Sequence, residues 1–134
     1  MIYLLDTNVI SDIIKSHPQV IQTVQERKND HIIALCEPVD YEIQRGFLWR
    51  NASSKHDVYI KRLKKQFTWI TLQASDWEHA AILWSQARKM GRQLSDVDFL
   101  IAAVTIRFGG ILVSADDDFK ALSIPHENWR NSNP

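Results

Sequence analysis

The chain opens with four apolar residues, Ile2 to Leu5, and the run breaks off at Asp6. A segment apolar on both faces suits a central parallel strand covered by helices on each side. "TNVISDIIKS" then opens a helix. Pro18 suits the first turn of the next one, where Val20, Ile21 and Val24 share an apolar face. "HIIALC" predicts a second strand, and "PVDYEIQRGFLW" a helix with Val39, Ile43 and Phe47 on one side. Residues 53–66 predict a basic helix with Val58, Ile60, Leu63 and Phe67 as its apolar positions, followed by "TWITL" as the third strand. Ser75 and Glu78 have the spacing of a capping box. The helix they open carries Trp77, Ala80, Ala81, Trp84 and Ala87 at helical intervals and ends at Gly91. "FLIAAVTI" is apolar nearly all round and predicts a buried helix. Gly109 and Gly110 stop it before "ILVS", the fourth strand.

Strands alternate with helices throughout, which predicts an α/β fold with a mainly parallel sheet, helices on both faces and right-handed crossovers. One domain over 1–130 is expected, with an Asn/Ser-rich frayed tail at 131–134. In such sheets ligands bind beyond the carboxyl ends of the strands, near the point where strand order reverses.

Composition narrows the classes. Hydrophobic residues are 45% of 134, enough for one core. No apolar run approaches the roughly 20 residues of a membrane span, and "MIYLL" is too short for a signal peptide. Cys36 is alone, so no intrachain disulfide and no cysteine cluster is available; a cytoplasmic protein is expected. Sixteen basic and sixteen acidic residues cancel. The balance is uneven along the chain, however: Arg45, Arg50, Lys55, Lys61, Arg62, Lys64 and Lys65 crowd one stretch with Asp57 alone against them, while acids gather between Asp96 and Asp118. A basic rim beside an acidic centre fits a metal-dependent nuclease; a solvated helix face explains the same run.

Four acids carry the candidate chemistry: Asp6, Glu42, Asp98 and Asp116. Carboxylates where a parallel sheet runs out are placed to hold Mg²⁺ or Mn²⁺, hard cations that take oxygen ligands and serve phosphodiester chemistry. Each has a plain alternative. Asp6 is also a good helix N-cap, with Asn8 and Ser11 near enough to assist. Glu42 lies mid-helix between Glu37, Asp40 and Gly46, and Gly46 costs about 1 kcal/mol in a helix, which invites a reason such as close packing. Asp98 completes a capping box with Ser95; Asp96, two residues away, cannot share its face. Asp116 leads a triple in which Asp117 and Asp118 suit capping or solvent, with Ser114 two before it. Trp77 and Trp84 are expected in the core or an interface; Trp49, Trp69 and Trp129 are expected in the core, with base stacking as the alternative. The five histidines lack metal-ligand spacing.

In combination the pieces are specific. "LLDTNVIS", "EIQRG", "DFLIAA", "ILVSADDDF" and "IPHENW" resemble the PIN domain, and more narrowly the VapC-type toxin ribonucleases of toxin–antitoxin pairs, from Ile2 to about Trp129. The resemblance implies a three-layer α/β/α fold, a homodimer and a Mg²⁺- or Mn²⁺-dependent endoribonuclease restrained by a cognate antitoxin. It implies that Asp6, Glu42, Asp98 and Asp116 form the site with Asn8 nearby. Ser114 stands where threonine is usual, and Asp116 where many relatives carry asparagine. Asp6, Asp98 and Asp116 are expected to take the metal, Ser11 and Ser114 to support them, and Arg45, Arg50, Lys61 and Lys64 to hold the RNA backbone. The substrate expected is single-stranded or looped RNA, transfer RNA included.

Three other functions compete. A PIN-type processing nuclease would lack an antitoxin. An aspartate-nucleophile phosphatase would need a second carboxylate where Asn8 stands. A binding module would use the acids only as caps.

Overall fold

The computed structural model describes residues 1–131; the rest of the expected tail lies outside the described residues. In chain order the elements are β1 (Ile2–Leu5), α1 (Thr7–Ile14), α2 (Pro18–Arg27), β2 (Ile32–Cys36), α3 (Glu37–Trp49) and α4 (Ser53–Val58). A π-helical turn at Tyr59–Leu63 and a 3₁₀ turn at Lys64–Gln66 lead into β3 (Thr68–Ile70) and α5 (Ala74–Lys89). Then come α6 (Asp96–Phe108), β4 (Ile111–Val113), a 3₁₀ turn at Asp117–Leu122 and β5 (His126–Glu127). The sheet runs β3-β2-β1-β4-β5, and every pairing is parallel.

β1 is central. Its consecutive residues Tyr3, Leu4 and Leu5 are all buried. Since neighbours on a strand point to opposite faces, both faces of the sheet are covered. The α/β/α layering expected from the sequence is therefore present. α6 supplies much of the cover: Phe99 to Thr105 is buried without interruption, and each large apolar side chain so buried contributes roughly 1.5–3 kcal/mol. Gly109 ends α6 in the left-handed region at φ 59°. Gly110 lies so close to β1 that a Cβ there would stand 2.7 Å from the Ile2 carbonyl oxygen.

Several local expectations are corrected. α5 starts two residues early: Gln73 precedes it and donates its backbone N–H to Asp76 at 2.8 Å, so Asp76 takes the capping role expected of Glu78. Arg107 of α6 holds that buried Asp76 at 2.8 Å and decides the choice. The segment 53–66 is not one α-helix. Its buried anchor is Tyr59, whose hydroxyl donates to Asp40 at 2.6 Å, while Val58 and Ile60 are exposed. Trp77 and Trp84 are exposed, outside the core, which leaves the interface alternative for them. Of the remaining tryptophans only Trp129 joins the core, donating Nε1–H to Glu127.

Candidate active site

Strand order turns back between β1 and β4, which lie side by side although remote in sequence. Asp6 stands one residue beyond β1, with its backbone N–H still donating to the Val113 carbonyl at 2.9 Å. Ser114, the residue after β4, is fully buried and ties the two strand ends together. Its Oγ donates to Asp6 Oδ2 at 2.8 Å and accepts from Asn8 Nδ2 at 3.1 Å and the Asp116 N–H at 3.0 Å. Asn8 also accepts from the Ala115 N–H at 3.0 Å. The Thr7 N–H donates to Asp6 Oδ1 at 2.8 Å. Asp6 is thus the N-cap of α1 and a fixed, inward carboxylate at once.

The other acids arrive from separate elements. Glu42 projects from α3, and its Oε1 accepts a hydrogen bond from the Thr7 hydroxyl. Asp98 is the third residue of α6; Ser95 N–H donates to it at 2.9 Å, and its own N–H donates to Ser95 Oγ at 3.2 Å. The predicted capping box is real, and the half-buried Asp98 carboxylate still belongs to the acidic cluster. Asp116 caps the following 3₁₀ turn by accepting from the Asp118 N–H at 2.9 Å. Asp96, Asp117 and Asp118 face solvent.

Electrostatics joins the four acids into one group. Burial is the largest influence on Asp6 and pushes its pKa up to about 6, against the opposing hydrogen bonds from Ser114 and Thr7; the charges of Asp98 and Glu42 push it further up. Asp98 is also raised, first by burial, then by the charges of Glu42 and Asp116. Like charges at 4 Å repel by roughly 4 kcal/mol at an effective dielectric of 20. The donor set is all oxygen, which suits a hard divalent cation. Among the described residues no three carboxylate, imidazole or thiol groups are gathered tightly enough to enclose a metal by themselves. An ion here would keep water in its shell, as Mg²⁺ habitually does.

A cleft of about 540 Å³ opens beside Glu42. Glu42, Thr7 and Ser11 form part of its wall, with Arg50, Lys55 and Lys15 around it. Gly46 lines it too; the nearest group to an added Cβ is the Arg50 guanidinium at 3.4 Å, so this glycine serves an open cleft and not tight helix packing. Of the four expected backbone contacts only Arg50 lines the cleft; Arg45 does not, and lies 3.4 Å from Glu42 and over the Tyr41 ring. The other two expected backbone contacts lie elsewhere. Lys64 is drawn inward to Asp40 at 3.2 Å and sits over Trp69, and Lys61 pairs with Asp57 at 3.2 Å. Neither lines the cleft.

Sequence reasoning missed Thr7, whose hydroxyl aims Glu42. Its only signal was its place inside the Asp-Thr-Asn stretch. Lys15 was missed as well. Glu37 and Asp40, which made Glu42 hard to single out, have structural duties: Glu37 accepts the Leu72 N–H at 2.6 Å, and Asp40 serves Tyr59, Gln44 and Lys64.

Comparison with known proteins bears on this geometry. The family model described as PIN domain matches residues 3–125. Ribonuclease VapC11 of Mycobacterium tuberculosis is 33% identical over 93 residues, 68% of this chain and 66% of that protein, slightly under two thirds of its length. Among solved structures, VapBC2 from Rickettsia felis, bound to a DNA fragment from its promoter, superposes with a TM-score of 0.82 at 25% identity, covering 96% of this chain and 99% of the other. VapBC-1 from nontypeable Haemophilus influenzae gives 0.85 at 19% identity, over 98% and 100%.

Proposed function

The chain belongs to the PIN-domain family, and from that premise we propose that it is a Mg²⁺- or Mn²⁺-dependent endoribonuclease, the toxin of a toxin–antitoxin pair. The observation that carries the reading is the gathering of Asp6, Glu42, Asp98 and Asp116 at the sheet's switch point, where the buried Asp6 has neutral donors and, among the described residues, no cation beside it. The similarity to VapC11, named a ribonuclease, supports the choice of RNA, and the likeness to VapBC2 supports the toxin role.

Asp6, Asp98 and Asp116 would hold the cation, with Ser114 and Asn8 fixing the Asp6 carboxylate. When bound, the ion polarises a phosphoryl oxygen and steadies the departing oxygen. Glu42, aimed by Thr7, orients the attacking water from the cleft wall. Arg50, Lys55 and Lys15 take backbone phosphates along the cleft, a contact that positions the strand without reading its sequence. Single-stranded or looped RNA, such as a transfer-RNA loop, is the substrate class, because its bases can be splayed out.

The antitoxin's place is the continuation of this cleft. A second hollow of about 480 Å³ shares Ile14 and Lys55 with the first and adds Ile13, Val58, Leu63 and Arg62. An apolar floor with basic margins fits an amphipathic acidic segment. A homodimer acting in the cytoplasm completes the proposal. No helix among the described residues is long and apolar enough to cross a membrane.

The test is induced expression in a bacterial host, wild type beside Asp6→Asn, with new RNA 5′ ends mapped across the transcriptome. Growth arrest and discrete cleavage sites from the wild type alone are expected. Soluble, folded protein in both strains with no arrest and no new ends would overturn the reading.

A further inference from the structure

Between the end of α5 and the start of α6 lies a small hollow that the proposed reaction does not use. It measures about 200 Å³ and is lined by Trp84, Arg88, Arg92, Gln93, Leu94 and Phe99. α5 supplies Trp84 and Arg88 one turn apart, so both project from the same face. The Arg88 guanidinium lies over the Trp84 ring at 4.7 Å. After α5 the chain turns through Gly91 at φ 71°, and the Arg92 N–H donates to the Ala87 carbonyl at 2.8 Å. That turn brings Arg92 and Gln93 back beside Arg88.

Three observations set this hollow apart from an ordinary solvated helix end. First, among the described residues neither Arg88 nor Arg92 is paired with a carboxylate, although the chain has as many acids as bases. Second, an exposed indole sits beside two free guanidinium groups, the combination that stacks bases and holds phosphates in single-strand binding. Third, the hollow is adjacent to the acidic cluster along the chain. Gln93 precedes by two residues Ser95, which clasps Asp98, and Phe99, the wall of the hollow, is the residue after Asp98.

We infer that Trp84, Arg88, Arg92 and Gln93 form a second subsite for the RNA strand on the Asp98 side of the scissile position, opposite the Arg50 and Lys55 rim. The inference rests on the ribonuclease reading and extends it. Arg88 and Arg92 take phosphates, Trp84 takes the flat of a base, and Gln93 offers both a donor and an acceptor to a base edge. The strand is then held on both sides of the carboxylates, which adds binding shared by the bound substrate and the transition state.

The test measures binding of a fluorescently labelled single-stranded oligoribonucleotide to protein carrying Asp6→Asn, across a salt series. Arg88→Gln with Arg92→Gln is expected to reduce the slope of log affinity against log salt by about 1.4, two phosphate contacts on a single strand. Lys89→Gln, an exposed neighbour outside the hollow, should leave the slope unchanged. Trp84→Ala should weaken binding by about 5- to 150-fold. In the active protein the double arginine variant should raise KM and leave kcat nearly unchanged, the signature of lost binding shared by ground and transition states. Unchanged affinity, slope and KM in the double variant would overturn the subsite while leaving the ribonuclease reading intact. Loss of a co-expressed antitoxin with RNA binding untouched would also overturn it and assign the hollow to an acidic protein segment. Failure of the parent protein to bind or cleave any RNA would remove the ribonuclease reading itself, and the subsite with it.

Discussion

Four aspartates are buried in the described chain, and they divide into two kinds. Asp12, Asp40 and Asp76 each face a cation: Arg130 at 2.6 Å, Lys64 at 3.2 Å and Arg107 at 2.8 Å. Asp6, as deeply buried at 5% exposure, receives only the Thr7 N–H, the Ser114 hydroxyl and the Asn8 amide, while Asp98 and Glu42 add like charge. A buried carboxylate without a counter-charge is costly. The scaffold avoids that cost wherever it uses an acid for stability and bears it where β1 and β4 end. Local shape does not separate the two kinds, since Asp6, Asp76 and Asp98 all cap helices. What differs is the partner.

The contrast can be broken most forcefully through activity. Asp6→Asn keeps the size and the capping role but removes the charge. Cleavage of RNA by the purified variant should fall at least about a thousandfold, the loss of several kcal/mol of transition-state stabilisation. Retained cleavage would return Asp6 to the structural kind. On the scaffold side, Arg107→Ala should lower unfolding free energy by about 3–5 kcal/mol in denaturant titration, because it strands the Asp76 charge at 1% exposure. A loss under 1 kcal/mol would show that Asp76 needs no counter-charge.

The pH dependence should have the sign of an uncompensated acid. The Asp6 pKa is raised from 3.8 to about 6. Between those values the unfolded chain releases a proton that the folded chain keeps, so metal-free stability falls as pH rises from about 4 to about 6. The contribution reaches at most roughly 3 kcal/mol. Asp6→Asn should remove this slope, and an unchanged slope in the variant would place its origin elsewhere. Tyr59→Phe gives the smallest effect. It deprives Asp40 of one donor and leaves Lys64 in place, costing about 1–2 kcal/mol in thermal or chemical unfolding with the cleft residues undisturbed. A loss of activity larger than the loss of stability would show that the π-helical turn also shapes the cleft.

The same division explains what could be read from the chain alone. Alternation of apolar runs gave the parallel sheet, because strands buried on both faces leave an unmistakable signal, as in Tyr3 to Leu5. Acids at strand ends were legible for the same reason. β5 was missed because two residues have no period; it is held by the Leu112 N–H to the Pro125 carbonyl and the Ser114 N–H to the Glu127 carbonyl. The start of α5 was misread because Gln73 with Asp76 and Ser75 with Glu78 share one spacing, and Arg107, 31 residues away, decides between them. Lys64 looked like a phosphate ligand because nothing local reveals its link to Asp40, 24 residues back. Thr7 was passed over because its role exists only once α3 has packed beside α1.

The most direct measurement is thermal unfolding at pH 7 of wild type and Asp6→Asn through a Mn²⁺ titration. An ion held by the uncompensated carboxylates should stabilise the wild type saturably, by about 2.7 kcal/mol at a hundred times its dissociation constant. The variant, already more stable without metal, should respond weakly or not at all. Equal responses in the two proteins, or none in either, would contradict a divalent-cation site at Asp6.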